Sequence, residues 1–188
     1  MTTADKLRAD HIVNYLLYMW QIEDLIRACD LDPDKVHTSL IAQYQVEGAE
    51  AEELTRRYSE LIEMMLGEGL RESGHLNVNR IVLMQLEELH RSLLANAKEQ
   101  LYASIYYQIL PYIVGLRSSS EQQDKGEIEI LLEALYGYSL LRLQGKPVSQ
   151  DTTEALSRVG NFLTLLSERY KTRDEDEDRQ ASTPMSHL

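Results

Sequence analysis

The chain has 188 residues, 43% of them hydrophobic, which is enough for one compact domain with a real core and excludes global disorder. Its 31 acids outweigh 19 lysines and arginines, and the resulting charge of −12 repels nucleic-acid phosphates and anionic membrane surfaces. The single cysteine, Cys29, excludes an intramolecular disulfide and a multi-cysteine zinc site, and no apolar run reaches bilayer length.

Every patterned segment has the helical period, and none alternates as a strand would. The expected fold is all-α: one bundle of about seven helices over residues 1–171, then a disordered acidic tail, 172–188. The first helix spans about Ala4–Cys29 and is apolar on almost every face through Tyr15–Ile22. Asp32-Pro33 then supplies an N-cap followed by proline at the first helical position, predicting a second helix to about Gln45. Gly48 precedes a third, about Ala49–Leu70, with the stripe Leu54, Tyr58, Leu61, Ile62 and Met65. Gly67, Gly69 and Gly74 end it; they lack the strand and spacing of a phosphate-binding loop.

The fourth helix covers about Asn77–Asn96. The fifth, about Lys98–Arg117, contains Pro111, which removes a backbone donor and is expected to kink or split it. After a polar loop, Ser118–Gly126, the sixth helix runs over Glu127–Gln144 and is again apolar nearly all round. The seventh starts near Ser149 and ends at Tyr170. Helices apolar on all sides belong at the centre of a bundle, so the first and sixth are expected there. The tail has five acids and two arginines, a net −3, and too little apolar surface to fold.

A helical wheel puts Leu7, His11, Tyr15, Tyr18, Ile22, Leu25 and Cys29 within about 80° of one another as the main core face. Leu16, Trp20, Glu23 and Arg27 lie on the other side. There Glu23 and Arg27, one turn apart, either form an ordinary ion pair at the bundle's edge or join Trp20 at the mouth of a pocket. His11 reads as a neutral core histidine or, alternatively, a catalytic base. Glu-x-x-His occurs at Glu72/His75 and Glu87/His90, the spacing found in di-iron bundles. The first pair straddles Gly74 at a helix end, and on the wheel Glu87 points about 140° from the core face. No metal and no cofactor is expected.

Tyr15-Leu-Leu-Tyr-Met-Trp-Gln-Ile-Glu-Asp-Leu-Ile-Arg27 resembles the opening signature of a bacterial, Bacteroidetes-type family of similar length, classed as a domain of unknown function. Gly74-His75-Leu76, Glu133-Ala134-Leu135-Tyr136-Gly137 and Leu140-Leu141-Arg142-Leu143 resemble its later landmarks. The similarity covers residues 1 to about 171. It implies a helical, cytoplasmic protein and assigns no catalytic or binding residue.

Eleven tyrosines against one phenylalanine point to rings with wet hydroxyls at core boundaries, or to a tyrosine-lined cleft or docking face. The expected function is therefore a non-catalytic interaction or structural protein that associates with itself or with another protein. Its face would consist of Tyr102, Tyr106, Tyr107, Tyr112 and Tyr138. The alternative, of a different class, is a small-molecule-binding protein or enzyme with a pocket between the first and sixth helices. That pocket would use Trp20, Glu23, Arg27 and Tyr136. Nucleic acid and membrane are not expected partners, and the absence of a signal-peptide pattern leads to a cytoplasmic expectation.

Overall fold

A computed structural model describes residues 3–44, 46–119 and 124–181, with side chains described to residue 175. Its helices, in chain order, are α1 (Thr3–Asp10), α2 (Ile12–Ala28), α3 (Pro33–Ser39), α4 (Ala49–Gly67), α5 (Asn77–Ala95), α6 (Gln100–Ser119), α7 (Glu127–Leu143) and α8 (Gln150–Ala181). A 3-10 turn covers Ile41–Tyr44, and no strand occurs among the described residues. The fold is all-α. No helix of the described residues is long and apolar enough to cross a membrane.

The chain divides into two compact units, one of residues 18–82 and one of residues 1–17 with 83–188. The first is built on the second half of α2, on α3, the 3-10 turn, α4 and the start of α5. Its core joins Ile22, Ile26 and Cys29 to Leu31, Val36, Ile41, Tyr58, Ile62, Met65 and Leu76. The Asp32-Pro33 cap forms as expected: the Asp32 carboxylate accepts from the backbone N–H of Asp34 and Lys35 at 2.9 and 3.1 Å. Burial and the neighbouring Tyr44 hydroxyl push the pKa of the Tyr18 hydroxyl up to about 12.

The second unit packs α6, α7 and α8 against one another. Its core includes Leu86, Tyr102, Ile109, Ile113, Ile128, Leu131, Phe162, Leu163 and Leu166. α7 is buried at Ile128 and at Ile130 to Leu132, and it leaves Leu141 and Leu143 exposed.

Three local differences from the sequence reading have physical causes. The first expected helix is interrupted at His11, whose Nδ1 accepts the N–H of Asn14 and so acts as a cap for α2. α6 is not split at Pro111 but passes through it as one helix, with the proline on its exposed side. α8 continues beyond Tyr170 to Ala181, into the stretch expected as a tail, and residues 182–188 lie outside the described residues. In that extension the Arg173 guanidinium lies over the Tyr170 ring at 5.0 Å, a local contact that favours helix.

Candidate functional site

Of the side chains singled out on the first helix, Trp20, Glu23 and Arg27 all turn toward one segment, Leu70–Asn79. The connection between α4 and α5 reverses there through Gly69 and Gly74, whose φ values of 73° and 93° suit glycine. Arg27 donates to the carbonyls of Gly74 (3.0 Å) and Leu70 (3.4 Å). It also pairs with Asp24 at 2.8 Å. The expected Glu23–Arg27 ion pair is therefore not made.

Glu23 is not at an edge. It is fully buried, at 0% exposure. One carboxylate oxygen accepts from the Leu76 N–H (3.2 Å) and the Asn79 amide (2.7 Å). The other meets His75 Nδ1 at 2.6 Å. A carboxylate only accepts here, so the Nδ1 carries the proton and the ring presents Nε2 on its other side. The His75 ring is stacked on Trp20, 4.2 Å between centroids and 13° between planes. The Glu23 charge lies at the start of α5, where free backbone donors and the helix dipole favour an anion. Glu68 completes that end by accepting the Asn77 N–H at 2.7 Å.

Wheel geometry missed this because it orders the residues of one helix and says nothing of what packs on each side. α2 is buried on both sides: Leu16 and Trp20 are enclosed while Leu25, placed on the core face, is exposed. His75 and Asn79 had no local signal apart from the Gly74-His75-Leu76 landmark. Tyr136, the fourth residue of the expected pocket, belongs to the other compact unit and is half-buried.

In that other unit the second Glu-x-x-His pair is structural. The Glu87 carboxylate accepts from the N–H of Ile128 (2.8 Å) and Glu129 (3.1 Å), capping α7 from another helix. Its residue at the cap position, Gly126, makes no side-chain cap. Burial raises the pKa of the Glu87 carboxyl against the pull of those two donors. His90 is 3% exposed; its Nδ1 meets the Tyr102 hydroxyl at 2.7 Å and its Nε2 meets Glu127 at 3.3 Å. Burial lowers its basicity, so the neutral ring donates to Glu127 and accepts from Tyr102. No group of three or more His, Cys, Asp or Glu placed to hold a metal ion occurs among the described residues.

The five-tyrosine docking face does not form as a surface. Tyr102 is 0% exposed and Tyr106 is 8%, both packed around His90 and Phe162. Tyr112 and Tyr138 are half-buried. Tyr107 alone of the five is open to solvent. The reason is register: Tyr102, Tyr106, Ile109 and Ile113 follow the spacing of one helix face, and that face is the core face of α6.

His11 is half-buried; its Nδ1 accepts the Asn14 N–H and lies 3.2 Å from the Ser167 hydroxyl, the arrangement of a neutral ring. A cleft of about 160 Å³ opens beside it, lined by Arg8, Ser167, Tyr170, Lys171 and Asp174 among others. That is below the size of a typical ligand pocket.

The family described as Domain of unknown function (DUF4924) has a model that matches residues 1–177, and the chain belongs to it. No curated protein and no solved structure matches the chain.

Proposed function

We propose, for this member of a helical family of unknown function, a non-catalytic interaction protein that associates with itself. The observation that carries the reading is how the side chains are spent. The ionisable groups at Glu23, Arg27, Glu87 and His90 are engaged by partners within the chain. Large apolar side chains, by contrast, stand in solvent: Leu143 is 74% exposed, Met84 68% and Tyr107 65%. Exposed apolar side chains mark a contact site where they share one face, as Leu101, Tyr107 and Val114 do along α6. Native mass spectrometry of the untagged protein tests this. Multiples of the 21.7 kDa chain are expected, and a single-chain mass throughout would refute it.

The rival reading, a small-molecule-binding protein, draws support from His75. Its ring is fixed by Glu23 and Trp20, and among the described residues nothing bonds to its Nε2. A retained non-protein mass, lost on denaturation, would favour that reading.

A further inference from the structure

The sequence of α6 contains no charged residue from Gln100 to Leu116, in a protein where 27% of residues are charged. On its buried side lie Tyr102, Tyr106, Ile109 and Ile113. The opposite side spans an arc of about 140° from Val114 to Leu101. Leu101 (62%), Tyr107 (65%) and Val114 (61%) are its large residues, and Ser104, Gln108 and Pro111 lie exposed between them. A helix face that looks to water usually carries charge. This one carries none along its length.

Net charge decides what can cover it. At −12, two copies repel each other wherever acidic surfaces meet, so self-contact needs a face without charge. The order of residues along the face also suits pairing with itself. A two-fold contact sets each residue opposite another of the same surface. Turned antiparallel about an axis between Tyr107 and Gln108, one α6 sets its Leu101 opposite Val114 of the partner. In the same register Ser104 faces Pro111, and Tyr107 faces Gln108. Apolar meets apolar at both ends, small meets rigid between them, and the two amphipathic side chains meet at the axis.

Resting on the self-association reading above, we infer that the outward face of α6 is a homodimer contact, the second copy lying antiparallel in this register. From Leu101 to Val114 the face is about 20 Å long and about 10 Å wide. That is smaller than the roughly 800 Å² per partner of a standard stable interface. A contact of that size is expected to be weak and concentration-dependent, with dissociation on the order of micromolar.

Leu101→Glu and Val114→Lys test both face and register, with light scattering for mass and circular dichroism for folding. Both sites are exposed, so both variants keep the helical signal. Each alone stays at the single-chain mass where wild type is dimeric, a loss of at least about tenfold in affinity. An equimolar mixture of the two recovers a dimer, because the introduced carboxylate of one copy then faces the introduced ammonium of the other. So does the variant carrying both changes. A wild-type dimer that both single variants retain would overturn the α6 assignment and leave self-association standing. Dissociation without recovery in the mixture would overturn the antiparallel register. Wild type that is monomeric up to about 100 μM would overturn the self-association reading itself.

Discussion

Glu23 holds His75 through a 2.6 Å contact to Nδ1 from a position that water does not reach. A carboxylate so buried is tolerable only because the Leu76 N–H and the Asn79 amide also point at it, at the favourable end of a helix. The pair fastens the α4–α5 connection to α2. Glu87 repeats the device in the other unit, reaching from α5 to the start of α7.

Removing the Glu23 carboxylate should be among the most damaging single changes. Glu23→Ala removes the bonds that the buried Leu76 N–H and Asn79 amide make to the carboxylate, at about 1–3 kcal/mol each, and leaves a cavity besides. A loss of about 3–5 kcal/mol is expected from urea unfolding, with Glu23→Gln losing less because one acceptor oxygen remains. An unchanged urea midpoint for Glu23→Ala would contradict the clasp.

Gly126 is where Glu87 passes. A Cβ there would collide with the Glu87 carboxylate, so Gly126→Ala should expel the cap from α7. The expected cost is about 1–2 kcal/mol, the range for a lost N-cap. In a Glu87→Ala background the same glycine change should cost little further, since the group it displaces is gone. Additive costs in that cycle would show that the two residues act independently.

Acid should weaken the fold through His11 and His90, both made less basic by burial relative to the ordinary value of 6.5. Below pH 6.5 the unfolded chain takes up protons that the native chain does not, so stability present above 6.5 falls as pH drops toward the native values. Asn is a good N-cap and does not titrate, so His11→Asn keeps the cap and removes one of the two protons. Between about pH 7.5 and 5.5 the variant should lose less stability than wild type. Equal losses would show that His11 does not contribute to the acid sensitivity.

Trp20 is the only tryptophan, so the emission reports that one site, where its ring is stacked on His75. His75→Ala should open the indole to water and shift its emission to the red, while His75→Phe should largely keep it buried. An unshifted His75→Ala spectrum would mean that the ring is shielded by something else.

The helices were legible because their signals are local: the Asp32-Pro33 start, the α4 stripe and the glycine stops each act within one or two turns. Their partners were not. Glu23 looked like the acid of an i,i+4 pair with Arg27, yet its partners lie in the 75–79 segment. Pro111 looked like a kink or a split, and the split does not occur: a proline on the exposed side of a long helix, with Ile109 and Ile113 anchoring the other side, is accommodated. Tyrosine count suggested a face, and helical register divided it, sending Tyr102 and Tyr106 inward and leaving Tyr107 outside. The uncharged stretch of α6 was written plainly in the chain. Only burial could tell which of its sides meets water.

Sedimentation of the wild-type protein over a dilution series reads self-association without any substitution. The mass is expected to move from one 21.7 kDa chain toward two as concentration rises through the micromolar range. One chain at every concentration would contradict self-association.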